Sequence, residues 1–187
     1  MSVQRGFTLI ELLVSLAVAA ILVSIATPFF RETIIKNRLD SISLEFADAL
    51  ALARSESIKR NRTITFCRAD KASPASRSDN VDSVKCANGT DWEYWLITQK
   101  PDSATESDVI GRGNTSSLSS SIKITSANIT NNRVNFNTDG LIRSGGALVN
   151  NAEFTICAKN INKNAIRTLK LSAAGRISIK PSDGECK

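Results

Sequence analysis

Gly6-Phe7-Thr8-Leu9-Ile10-Glu11-Leu12-Leu13-Val14 opens an apolar run that decides how the rest of the chain is read. From Phe7 to Phe30 the only ionisable side chain is Glu11. A bilayer takes roughly 20 apolar residues in a helix, so the run is long enough to cross one. A carboxylate inside such a span costs about 2.5–3.5 kcal/mol at the centre and less near the edge. A charge kept at that cost calls for a partner. An ordinary secretory signal would have a shorter apolar core, and a plain anchor would have no use for Glu11.

Working outward, Met1 to Gly6 is a short leader whose one positive charge, Arg5, favours the cytoplasmic side. Residues 7–30 form the membrane helix, with Pro28 near its end. Proline removes a backbone hydrogen bond, which membrane helices tolerate. Beyond it the pattern turns amphipathic: Ile35, Leu39, Ile42, Phe46, Ala49, Leu50 and Ala53 recur at spacings of three and four, with charges between them. This is one apolar stripe on a helix that continues to about residue 58, so residues 31–60 are its amphipathic half.

Residues 61–187 change character. Trp92-Glu93-Tyr94-Trp95-Leu96-Ile97 alternates and is aromatic, a strand signal. Further short strands are expected around Thr63–Cys67, Val109–Ile110, Ile122–Ile124, Val134–Phe136, Glu153–Cys157, Thr168–Leu171 and Arg176–Ile179. Asp139-Gly140 and Ala174-Gly175 mark turns, and Gly111-Arg112-Gly113 and Gly145-Gly146 are read as turn glycines as well. With no helical period between them, these strands make an antiparallel assembly. The fold class is therefore α+β: a long N-terminal helix packed on a C-terminal antiparallel β-sheet domain.

Composition narrows the function. The 187 residues carry a formal net charge of +6 and no histidine. Without histidine the commonest general acid/base and a common metal ligand are missing. No nucleophile–base pair, carboxylate cluster or phosphate loop stands out, so neither an enzyme nor a cofactor is expected. Cys67, Cys86, Cys157 and Cys186 are even in number and lack a CxxC spacing, which reads as two disulfides in an oxidising compartment. Three pairings are possible. Cys67 and Cys86 flank one polar loop, and Cys157 and Cys186 flank the final strands, so Cys67–Cys86 and Cys157–Cys186 is the expected pairing.

The opening motif resembles the class III signal of type IV pilins and type II secretion pseudopilins. The resemblance implies that a prepilin peptidase cuts after Gly6 and methylates the new N-terminus, Phe7. It also implies that Glu11 faces the N-terminal amine of a neighbouring subunit, which supplies the partner the burial cost demands. A second stretch, Ala53-Arg54-Ser55-Glu56-Ser57-Ile58-Lys59-Arg60, is similar to the helix end of the GspH/FimT/FimU branch, with Ser57 where alanine is usual. The Trp92–Trp95 stretch is similar to that branch's aromatic strand, with Tyr94 in place of a glycine.

From Lys159 to Lys187 the segment holds seven positive residues against Asp183 and Glu185. Such a segment reads either as a solvated face or as a site for DNA phosphates. DNA-binding FimT-type members carry Gly-Arg-x-Arg near the C-terminus. Gly175-Arg176-Ile177-Ser178 keeps the Gly-Arg and lacks the second arginine, Lys180 following two residues later. Arg176 and Lys180 are thus the candidate DNA contacts, and the departure tips the reading toward a FimU-like minor pilin over a FimT-like DNA receptor or a GspH-like pseudopilin. The implied partners are the peptidase, other minor and major pilins, the inner membrane and DNA. The implied location is a single-pass inner-membrane protein with a periplasmic C-terminal domain, and then the pilus at the cell surface.

Overall fold

The computed structural model describes residues 8–69, 85–102, 108–115, 121–144, 146–159, 161 and 165–186, without the side chains of residues 26–29. Among the described residues, one α-helix, ten strands and, between β4 and β5, a short 3-10 turn at Thr130–Asn132 follow in order: α1 Leu9–Arg60, β1 Ile64–Arg68, β2 Tyr94–Thr98, β3 Val109–Asn114, β4 Ile122–Ala127, β5 Arg133–Phe136, β6 Ile142–Ser144, β7 Ala147–Leu148, β8 Ala152–Ala158, β9 Ile166–Leu171 and β10 Ile177–Ser182. The chain divides into two units, residues 1–35 and residues 36–187.

In the first unit, Thr8 caps the helix. The Glu11 backbone N–H donates to Thr8 Oγ1 at 3.4 Å, and the Leu12 N–H donates to the Thr8 carbonyl at 3.2 Å. A threonine in this place satisfies donors that the first turn leaves without an intrahelical partner. The apolar side chains that follow point outward on every side, and none from Leu9 to Ile25 is buried. Intrinsic helix propensity is adequate here, but no surface among the described residues covers the result.

In the second unit the C-terminal part of α1 packs its stripe on two antiparallel sheets. Leu39, Ile42, Phe46, Ala49, Leu50 and Ala53 are buried, and each large one contributes about 1.5–3 kcal/mol relative to exposure. One sheet has six strands in the order β3-β2-β1-β5-β6-β7; the other has four, β10-β9-β8-β4. Phe46 touches the rings of Phe66 on β1, Trp95 on β2, Phe154 on β8 and Trp92, at centroid distances of 5.6–6.4 Å. Edge-to-face contacts of this kind add to area burial. The buried indole of Trp92 donates to Ser126 Oγ at 3.0 Å, so its polar edge is not stranded in the core.

The topology adds two strands to the stretches expected from sequence. β6 and β7 are a hairpin of three and two residues, too short to show a period. Gly111 and Gly113 are strand residues of β3 rather than turn residues. They pair with Ile97 and Trp95 across the sheet. A Cβ on Gly113 would lie 2.2 Å from the Trp95 ring, and one on Gly111 would lie 3.2 Å from Ile97 Cδ1. The glycines therefore make room for the large side chains of β2. Gly140 and Gly175 do sit in turns, with φ of 72° and 69°.

Candidate assembly site

The site residues named from sequence fall in three places. Gly6 and Phe7, the expected processing pair, lie outside the described residues. Glu11 stands in the first turn of α1, exposed, with its carboxylate near the positive end of the helix dipole. Among the described residues it has no ion-pair partner. Leu9, Ile10, Leu12, Leu13 and Val14 around it are all more than half exposed. Each such side chain kept in water forgoes about 1.5–3 kcal/mol, so this stretch is complete only against lipid or against other helices. The helix is long and apolar enough to cross a membrane.

The cysteines behave as structural staples. Cys67 is bonded to Cys86 with Cα atoms 5.6 Å apart, and Cys157 to Cys186 with Cα atoms 5.3 Å apart. The first bond lies on the outer face of the six-stranded sheet, where Cys67, Ala69, Cys86 and Leu96 form a small second core flanked by Tyr94 and Val109. Tyr94, which replaces a glycine in the family's pattern, thus has a packing role. The second bond ties the residues after β10 back to β8, and Gly184 crosses close to Ile166 of β9. Closing loops of 19 and 29 residues contributes about 3 kcal/mol or somewhat more each in the chain-entropy model.

Among the described residues of the basic C-terminal segment, two cations are engaged within the domain. Arg167 points into the domain and its Nε donates to Asp40 of α1 at 2.6 Å. Lys170 pairs with Glu153 on the neighbouring strand at 3.3 Å. Lys163 and Lys187 lie outside the described residues. Arg176 and Lys180 are exposed, one just after the Gly175 turn and the other on the edge strand β10. Arg167, counted from sequence among the seven positive residues of this segment, is thus engaged inside the domain. Sequence counting registers its charge but not its inward register on β9, opposite Ile156.

A model of the family described as type II transport protein GspH matches residues 44–175. The chain belongs to the GspH family. Residues 1–27 match the prokaryotic N-terminal methylation motif, which brackets Gly6, Phe7 and Glu11. A fimbrial protein of Moraxella nonliquefaciens is 33% identical over 104 residues, 56% of this chain; the match spans 61% of that relative's length. Two crystal structures of the Pseudomonas aeruginosa type IV minor pilin FimU share the fold. One has a TM-score of 0.55 over 79% of this chain and 95% of its own, the other 0.52 over 78% and 98%, each at 18% identity. This GspH-family chain thus has a pilin fold, a long N-terminal helix on antiparallel sheets.

Sequence reasoning missed one functional-looking feature on the second unit. Trp95 and Glu45 meet beside α1. Burial pushes the Glu45 carboxyl above its ordinary range, and the Trp95 indole lowers it in part. The indole N–H itself is buried and makes no hydrogen bond of standard geometry among the described residues. The signal was present as Leu44 and Leu52, two apolar residues off the buried stripe, but their exposure shows only once the sheets are placed.

Proposed function

We propose that this chain is a minor pilin of the type IV pilus, FimU-like in role, that helps filament assembly at or near the tip. The observation that carries the reading is the stretch of α1 from Leu9 to Ile25. Its apolar side chains are all exposed, and its one ionisable residue is Glu11 in the first turn. The methylation motif over the same residues and the fimbrial relative support it. In this reading a prepilin peptidase cuts after Gly6 and methylates Phe7. The helix holds the subunit in the inner membrane with residues 61–187 in the periplasm, where an oxidising milieu suits both disulfides. The Phe7 amine and Glu11 carboxylate are each costly to leave unpaired in a low dielectric. Between neighbouring subunits they attract far more strongly than in water. That attraction draws subunits into the filament in register. Cleavage takes away Arg5 and leaves the mature chain at a formal +5.

The reading assigns no catalysis to the chain. A secretion pseudopilin would need the same anchor, and the family's description names type II transport; the fimbrial relative favours the pilus. A DNA-receptor role has less support, because Arg167 and Lys170 are engaged within the domain. The deciding experiment is the intact mass of the chain recovered from membranes and from sheared surface filaments. A mature chain that starts at N-methylated Phe7 and is present in filaments is expected. An intact Met1, or a cut near Ala19-Ala20, would overturn the pilin reading.

A further inference from the structure

One flank of α1 in the second unit is left uncovered. Leu44 and Leu52 are 56% and 41% exposed, although Phe46, Ala49 and Leu50 between them are buried. Leu44, Asp48 and Leu52 follow at intervals of four and so share a face. With Glu45 and Trp95 they line an open groove of about 610 Å³. Neither Glu45 nor Asp48 has an ion-pair partner among the described residues. The groove thus joins apolar surface to two carboxylates that have no cationic partner among the described residues.

Charge decides what fits. Nucleic acid phosphates and anionic headgroups would be repelled by Glu45 and Asp48. An apolar surface carrying arginine would be attracted, since the guanidinium pairs with carboxylates in a planar fork and is weakly hydrated. This chain carries such a surface itself. Phe30, Ile34 and Arg38 follow at spacings of four on α1, with Arg31 three residues before Ile34, and all four are exposed. Among the described residues neither Arg31 nor Arg38 has an ion-pair partner. Helices of this pattern in a filament would leave basic, apolar stripes to be covered.

We propose that the groove of Leu44, Glu45, Asp48, Leu52 and Trp95 receives the basic, apolar helix stripe of a neighbouring pilin. The neighbour's arginine pairs with Asp48 and Glu45, and its aliphatic or aromatic side chains cover Leu44 and Leu52. Burying those side chains adds the apolar contribution, and the charges fix which face of the neighbour is accepted. The inference rests on the pilus-subunit reading and adds a second contact between subunits to that of Glu11.

The test places a photo-crosslinking residue at position 52 of the full-length chain in piliated cells, shears the filaments and maps the adducts by mass spectrometry. Adducts to an arginine-containing apolar stretch of a pilin helix are expected. Asp48→Lys should cut their yield at least about fivefold, and Asp48→Glu should keep it. Asp48 is exposed, so neither change threatens the fold. Adducts to lipid, to a β-domain surface or to nothing, or a yield indifferent to Asp48→Lys, would overturn the groove assignment. A chain that is present in filaments without a helix adduct removes this proposal alone. A chain absent from filaments removes the pilin reading and this proposal together.

Discussion

The two parts of α1 are the same secondary structure in different solvents. From Leu9 to Ile25 every large apolar side chain is more than half exposed, while from Leu39 to Ala53 one face is sealed under two sheets. Their charges differ in the same way. Asp40 already holds Arg167 inside the chain, whereas Glu11 has no ion-pair partner among the described residues. The second part is stabilised by packing within the subunit, as most helices are. The first part carries apolar surface and a carboxylate that the described residues do not cover, and in the proposed reading neighbouring subunits supply the complements. In the proposed reading one helix serves as a folding element at one end and an assembly element at the other, with the hydrophobic pattern and Glu11 setting which.

This contrast is breakable at several points. The largest effect is expected at Phe46, whose ring meets four others. Phe46→Ala should cost about 3–5 kcal/mol in denaturant melts of the detergent-solubilised chain. Leu13→Ala, the matched change in the uncovered part, should leave the same transition within about 0.5 kcal/mol. Equal losses would erase the distinction. Next comes the Cys157–Cys186 bond: replacing both cysteines with serine should lower stability by about 3 kcal/mol. Limited proteolysis should then release residues after β10 first, since the bond ties them to β8.

A smaller effect is expected at the internal ion pair. Asp40→Ala leaves Arg167, only 10% exposed, without its carboxylate. Because Asp40 is half exposed, the cost is scaled down to about 1–2 kcal/mol in the same melts. The smallest effect is at Glu45, and its sign follows from proton linkage. Burial raises its folded pKa above the ordinary 4.5, so the folded state holds the proton more tightly. The resulting stabilisation is present below about 4.5 and is lost as pH rises through the raised folded value. Glu45→Gln should therefore raise the melting temperature slightly at pH 7 and leave it unchanged at pH 4. A gain at pH 4 equal to that at pH 7 would contradict the assignment.

Local patterns were legible and tertiary ones were not. The spacing of Leu39, Ile42, Phe46 and Leu50 is enough to foresee the buried stripe, because a helix repeats every 3.6 residues whatever it packs on. The alternation around Trp95 is enough for a strand. Gly111 and Gly113 mislead because glycine usually marks a turn, while here it yields space to ring atoms that belong to another strand. Arg167 misleads because a list of cations carries no register, and a single residue's shift along β9 exchanges the core face for the solvent face. In the candidate site, Glu11 announces itself by its cost in an apolar run. The groove at Trp95 does not, since it forms between residues of α1 and β2 that only the fold brings together.

The central claim is that the first part of α1 is an assembly device whose charge is satisfied by a neighbour. The direct measurement follows Glu11→Ala in the membrane and sheared-filament fractions beside the unaltered chain. The account predicts normal insertion and cleavage, with filament incorporation reduced at least about tenfold, the equivalent of about 1.4 kcal/mol. Incorporation of Glu11→Ala at the unaltered level would contradict it.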